Sequence, residues 1–156
     1  MTGAEIVPLR IDCSVALAEL HVLCVPASDG WTEPGLKRLL QADAALGCQA
    51  EHDGAIIGFI LAFAAADEAE VLTLCVAPQH RRQGVGRKLL KELERKLAAR
   101  HIVHLHLEAR VSNLAARELY ARVGFGETGR RRRYYPTADG QPAEDAVLMA
   151  KDVRGG

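Results

Sequence analysis

The sequence predicts a single α/β domain over residues 1–156, of the α+β kind, with a mixed sheet of seven strands and four helices on its faces. Three observations carry this. The chain is 156 residues long, 49% hydrophobic and 26% charged, which suits one globular core. Its hydrophobic period switches repeatedly between two and about 3.6 residues. The turn residues between those segments give the order β-α-α-β-β-β-α-β-α-β-β, in which helices cover a sheet.

Ile6 to Ile11 reads as the first strand. Asp12 follows as a helix N-cap, before an apolar stripe of Val15, Leu17, Leu20 and Leu23. A second helix begins after Thr32, with Pro34 in its first turn and Leu36, Leu39 and Leu40 facing inward. Cys48–His52 and Ala55–Ala64 form a hairpin around Asp53-Gly54, a pair suited to two central positions with φ > 0. Val71 to Ala77 is a strand stopped by Pro78. Val85, Leu89, Leu93 and Leu97 recur every four residues opposite a charged face, so this segment is an amphipathic helix. Ile102–Val111 is a strand, and Asn113–Val123 a helix closed by Gly124. Strands around Phe125–Tyr135 and Ala146–Lys151 end the fold, with Pro136, Asp139, Gly140 and Pro142 in the turn between them.

Composition narrows the function. The longest apolar run, Ala55 to Ala66, is too short to cross a bilayer, and Glu5 and Asp12 occupy a region where a signal peptide would be basic and then apolar. A cytoplasmic protein without a membrane partner is expected. Cys13, Cys24, Cys48 and Cys75 form no C-x-x-C pair and read as buried free thiols. The charge is zero only as a sum. Residues 1–77 hold 3 Lys and Arg against 11 Asp and Glu, whereas residues 78–156 hold 17 against 9. That asymmetry suits an anionic ligand served by the second half, or helix-face charges with no ligand. With few aromatics and no net charge, the chain does not read as a nucleic-acid binder.

The anion has a candidate seat. From Val71 a strand leads through the basic loop Gln79-His80-Arg81-Arg82-Gln83-Gly84-Val85-Gly86 into a helix. A helix N-terminus offers unpaired N–H groups at the positive end of its dipole, glycines admit a phosphate to the backbone, and Arg81, Arg82 and Arg87 add guanidinium forks. A nucleotide P-loop would need Gly-Lys-Ser/Thr, and the sequence reads Gly86-Arg87-Lys88. A dinucleotide fingerprint would need a third glycine where Leu89 stands. Further on, strict alternation places His104, His106, Glu108 and Arg110 on one face of their strand. Such a polar face needs partners. It is either a metal set of His104, His106 and Glu108 or a hydrogen-bonded cleft wall. Tyr120, seven residues after Asn113 and on the same helix face, is either a core tyrosine or a positioned phenol.

Arg81-Arg82-Gln83-Gly84-Val85-Gly86 matches the Q/R-x-x-G-x-G/A loop, and here the sequence resembles the GNAT N-acetyltransferase superfamily. More narrowly, the stretch Leu107-Glu108 through Arg110, Ser112, Asn113, Ala116, Leu119, Tyr120, Gly124 and Phe125 resembles the ribosomal-protein-alanine N-acetyltransferases, the RimI-like family. So does the ending Tyr134-Tyr135-Pro136, Glu144-Asp145-Ala146 and Met149. Together these cover roughly residues 70–151. The resemblance implies a mostly antiparallel sheet whose central strands, Val71–Ala77 and Ile102–Val111, splay apart around acetyl-CoA. It implies that the backbone of Leu74, Cys75 and Val76 meets pantetheine, and that Arg82 to Arg87 with Arg81 hold the pyrophosphate, Gln83, Gly84, Val85 and Gly86 among them. Asn113 would be a further coenzyme contact, Glu108 the general base and Tyr120 the general acid, with no metal. The acceptor implied is a protein N-terminal amine, that of a ribosomal protein foremost, with Trp31 and Tyr134 as contacts. A small amine, a Lys side chain, or a non-catalytic acyl-CoA sensor are the alternatives. Ala109 replaces a larger β-branched residue and is expected to widen the cleft. The run Arg130–Arg133 is either a solvated strand edge or a surface for an acidic peptide or ribosomal RNA. Direct transfer is expected, with Cys75 as the nearby nucleophile left unused. Opposite fields for two oppositely charged substrates give a test: raising salt should increase the apparent KM for both, and salt-insensitive KM values would contradict it.

Overall fold

The computed structural model describes residues 3–26, 29–137 and 140–154. Among them, seven strands form one sheet: β1 (Glu5–Pro8), β2 (Ala45–His52), β3 (Ala55–Ala65), β4 (Glu68–Val76), β5 (His104–Arg110), β6 (Gly126–Tyr135) and β7 (Glu144–Asp152). The helices are α1 (Ser14–Cys24), α2 (Glu33–Gln41), α3 (Val85–Ala99) and α4 (Leu114–Arg122). The sheet order is β1-β2-β3-β4-β5-β7-β6. Every neighbouring pair is antiparallel except β4 and β5, which run parallel on either side of the α3 crossover. Asp139, expected in the last turn, lies outside the described residues.

Several boundaries differ from expectation. β1 stops at Pro8, which lacks an N–H for the ladder, and Ile11–Cys13 forms a 3-10 turn instead. Asp12 sits inside that turn, and Cys13 takes the N-cap of α1 without a side-chain cap. The inner face of α1 keeps Leu17 and Leu20 but is rotated from the expected stripe. Ser14, Leu17, Ala18, Leu20 and His21 are buried, while Val15 and Leu23 are exposed. Two polar residues with partners decide this: the Ser14 hydroxyl donates to Glu33, and His21 Nδ1 accepts the Trp31 N–H at 3.3 Å while its ring stacks on the indole at 4.3 Å. β4 begins three residues earlier than expected, because Glu68–Glu70 finds partners on both β3 and β5. The Thr32 cap on Gly35 and the positive φ of Asp53 and Gly54 are as expected.

The sheet separates two apolar layers. On one face Ile60, Leu89, Leu93, Leu97, Leu105 and Leu107 lie under α3 and α4. On the other, Leu17, Leu36, Phe59, Leu61 and Cys75 lie under α1 and α2. Ala109 belongs to the first layer, so its small side chain faces the core.

One defect positions the site. Leu61 pairs with Thr73 and Ala62 with Val71, so Leu72 is an extra residue in β4. Such a bulge bends its strand. The β4–β5 register runs from Glu68↔His104 to Glu70↔His106, and beyond it the two strands diverge toward their C-terminal ends. No helix among the described residues is long and apolar enough to cross a membrane. Since Leu89 is fully buried where α3 crosses the sheet, Leu89→Ala should lower the unfolding free energy by about 2–5 kcal/mol, read from urea midpoints.

Candidate functional site

The divergence of β4 from β5 leaves backbone groups to be accounted for. The Ala77 N–H donates to the Ile57 carbonyl at 2.7 Å, which fixes the phase of the β3–β4 ladder. By alternation, Thr73 and Cys75 turn their backbone groups toward β3, while Leu74 and Val76 turn theirs into the cleft. Of the three expected pantetheine contacts, Leu74 and Val76 therefore face the right way and Cys75 faces β3. The Val76 carbonyl already has partners. Arg81 Nε donates to it at 2.9 Å, and the Cys24 thiol at 3.4 Å. Arg81 thus folds back on the strand end rather than standing with Arg82 and Arg87 at the loop rim.

That rim is shaped by two left-handed residues. Arg82 has φ +61° and Gly84 φ +82°, and Gly84 is the N-cap of α3. Successive N–H groups in such a conformation form a concavity suited to an anion, at the positive end of a 15-residue helix. A Cβ on Gly84 would meet nothing within 4 Å, so this glycine serves backbone conformation and leaves an open approach. Gly86 serves packing as well, since a Cβ there would come within 3.2 Å of Leu119 on α4. Arg82, Gln83, Gly84 and Arg87 are exposed; Val85 is buried, so only its backbone can meet a ligand. Asn113 caps α4, its Oδ1 accepting the Ala116 N–H at 3.2 Å, which commits the carboxamide oxygen.

Two thiols flank the cleft. Cys75 is raised in pKa by its contact with Cys24 and by burial; Cys24 is lowered by the hydrogen bond from Cys75 and by Arg81. Cys75 is a poor nucleophile for that reason. Cys24, which the sequence does not mark, is the more acidic of the pair.

On β5 the alternation holds: Leu105, Leu107 and Ala109 are buried, and His106, Glu108 and Arg110 line the opposite face. His106 pairs with Glu68 at 2.9 Å, and no group of three metal-ligating side chains gathers among the described residues. The Glu108 carboxylate forms an ion pair with Arg131, Oε1 to Nε 2.7 Å. Tyr120 is buried against Phe125, and burial, followed by the nearness of Cys75 and Tyr135, raises its pKa, keeping the phenol protonated. Tyr135 joins the two. Burial and the adjacent Glu108 carboxylate push its pKa up to about 12, and it lies within electrostatic reach of Tyr120. Tyr135 was not singled out from the sequence, although it shares strand parity with Arg131, while Tyr134 points outward.

Arg110 closes the mouth. Its guanidinium reaches Asp29 in the α1–α2 loop at 2.8 Å, Glu144 at 3.2 Å and the Pro136 carbonyl at 3.1 Å, with the Tyr135 ring 4.7 Å beneath it. Trp31 stands in the same loop as Asp29, but His21 covers one face of its ring. Tyr134 is half exposed beneath the Arg131 guanidinium, 5.3 Å away. On the face of the sheet beyond α1 and α2 opens a groove of about 510 Å³, lined by Phe63, Glu68, Glu70, Glu108, Arg131 and Leu148 among others. Its acidic residues come largely from the acidic half of the chain.

Comparison with known proteins agrees with this geometry. The model of the acetyltransferase (GNAT) family matches residues 15–125. A [ribosomal protein bS18]-alanine N-acetyltransferase of Escherichia coli strain K12 is 42% identical over 113 residues, 72% of this chain and 75% of that protein. The crystal structure of the ribosomal-protein-S18-alanine N-acetyltransferase from Escherichia coli superposes with a TM-score of 0.88 at 33% identity, covering 98% of this chain and 96% of that one. A GNAT family acetyltransferase from Elizabethkingia anophelis with acetyl-CoA bound shares the fold, with a TM-score of 0.78 at 21% identity over 97% and 99% of the two chains.

The Arg110 clamp makes a pH-dependent contribution to stability. Hydrogen bonding from Ser112 and then Arg110 hold the Glu144 carboxyl below its ordinary value of 4.5, so this contribution is complete above that value and is lost as pH falls through the lowered one. Arg110→Met should cost about 1–3 kcal/mol at pH 7, and the deficit in urea unfolding should shrink below pH 4.5.

Proposed function

The chain belongs to the acetyltransferase (GNAT) family, and we propose that it transfers an acetyl group from acetyl-CoA to a protein N-terminal amine, that of the alanine of ribosomal protein bS18 foremost. The observation that carries this reading is the splayed β4–β5 cleft, with an anion-binding helix terminus at one end and the Glu108, Tyr135 and Tyr120 row on its wall. The residues present fit the coenzyme. Leu74 and Val76 turn backbone groups into the cleft, and the Arg82–Gly84 turn with Arg87 suits a pyrophosphate. Acetyl-CoA supplies an activated acetyl group with a thiolate leaving group.

The chain's own residues manage two protons. Glu108 takes one from the acceptor ammonium, a modest demand because an α-amine has a pKa near ~7.7–8.0 against ~10.4 for Lys. Tyr120, held protonated by burial, gives its proton to the departing sulfur. The raised pKa of Cys75 supports direct transfer from thioester to amine. Cys24 is the thiol to watch, and neither thiol is expected to carry acetyl. This reading places the protein in the cytoplasm, with neither nucleic acid nor membrane as a partner.

The test is acetyl-CoA consumption with a panel of N-terminal peptides, Lys peptides and small amines. Wild-type protein should favour a peptide beginning with alanine. Glu108→Gln and Tyr120→Phe should each lower kcat by about 10²–10⁴-fold, with acetyl-CoA affinity within about twofold. Unchanged kcat in both variants would remove the acid–base assignment, and acetyl label retained on Cys24 or Cys75 would remove direct transfer.

A further inference from the structure

We propose that Arg131 is a resident stand-in for the acceptor's ammonium: without acceptor its guanidinium fills the cation seat on Glu108, and the acceptor amine enters by displacing it toward Tyr134. The inference rests on the reading that Glu108 meets the acceptor amine.

The exposure of the two partners is unequal. The Glu108 side chain is 14% exposed and that of Arg131 is 55% exposed, with 2.7 Å between Oε1 and Nε. A carboxylate so far withdrawn from water needs a positive partner, or its burial is costly. Two neighbouring side chains that could otherwise serve Glu108 are engaged. Arg110 is held by Asp29 and Glu144, and His106 by Glu68. Arg131 reaches in from the sheet edge with more than half of its side chain exposed, so leaving disturbs no packed core.

The paired guanidinium already touches the Tyr134 ring, a contact it can keep when it leaves Glu108. The guanidinium carbon lies 5.3 Å from the centroid of the half-exposed Tyr134 ring, a distance at which a cation is attracted to the ring face. The β6–β7 ladder is interrupted beside it. Arg131 pairs with Ala146, and the next pair is Tyr135 with Glu144, so three β6 residues stand opposite one residue of β7. Arg133 within that bulge has φ +52°. The bulge interrupts ladder pairing just after Arg131, and the Arg133 N–H donates to Asp145 Oδ1 at 3.0 Å instead of to a β7 carbonyl.

A guanidinium bound to Glu108 cannot remain where an ammonium must arrive, because like charges at contact distance repel. The seat therefore selects a cation able to outcompete Arg131. An acceptor N-terminus enters protonated, and an amine already acylated has no charge with which to displace the arginine. This gives product release a driving force, since Arg131 returns to Glu108 once the acceptor is neutral.

The test uses alaninamide as the probe, titrated by NMR at a pH where its amine is charged, alongside peptide acetylation. Arg131→Gln should bind alaninamide three- to tenfold more tightly than wild type and lower the acceptor KM by a similar factor, with the acetyl-CoA KM within twofold. Arg131→Lys, which keeps the competing charge, should restore the wild-type affinity, and thermal melts of both variants establish that they are folded. Adding Glu108→Gln to Arg131→Gln should abolish the gain. An unchanged or weaker alaninamide affinity in folded Arg131→Gln would overturn the proposal, because Arg131 would then stay on Glu108 with the acceptor bound. A protein that showed the tighter probe binding yet acetylated no N-terminal peptide would remove the proposed function and leave the cation seat standing.

Discussion

The molecule is organised around two parallel strands that begin as partners and then part. β4 and β5 share a ladder only from Glu68 to Glu70, and the extra residue Leu72 bends β4 away. A sheet interior ordinarily pairs every backbone donor and acceptor, so a separation at its centre leaves polar groups to be met in another way. The fold tolerates this because both faces remain covered: α3 and α4 pack against Leu105 and Leu107, while α1 and α2 pack against Phe59 and Leu61. The rigidity of these two layers allows the gap between the strands to have a fixed width.

Side chains around the gap are arranged in pairs and rows. Glu108 has Arg131, Arg110 has Asp29 and Glu144, and Tyr135 sits between the charged groups and the buried phenol of Tyr120. The Arg110 contacts join the α1–α2 loop, the end of β5 and the β6–β7 connection, three segments far apart in sequence. The shape of the mouth thus depends on one guanidinium with several partners, a role that suits its planar fork.

Much of this was readable from residue order. The Asp53-Gly54 hairpin, the Val85–Leu97 stripe, the two-faced β5 and the glycine loop each carry a local signal that tertiary packing did not override. Features that depend on distant partners were not readable. The inward face of α1 includes Ser14 and His21, held by Glu33 and Trp31, so counting apolar residues alone placed Leu17 and Leu20 correctly and Val15 and Leu23 wrongly. β4 gained Glu68–Glu70 because both neighbouring strands were there to pair with it. Tyr135 and Arg131 join the site through Glu108 on another strand, and Cys24 through Val76, 52 positions away, so their places depend on tertiary contacts that residue order alone does not give.

The two hydrogen bonds on the Val76 carbonyl bear on energetics as well as geometry. Arg81 and Cys24 already satisfy an acceptor that faces the cleft. A ligand amide arriving there exchanges one bond for another instead of filling a void, and the net gain from such an exchange is only a fraction of a bond made in isolation. At this carbonyl, occupied and empty states thus differ little in polar satisfaction. Affinity must then come from the charged loop and from apolar contact, and the polar strand end contributes direction. For a catalyst that has to release its spent coenzyme on every cycle, a strand-end acceptor that is already satisfied helps keep the bound state shallow.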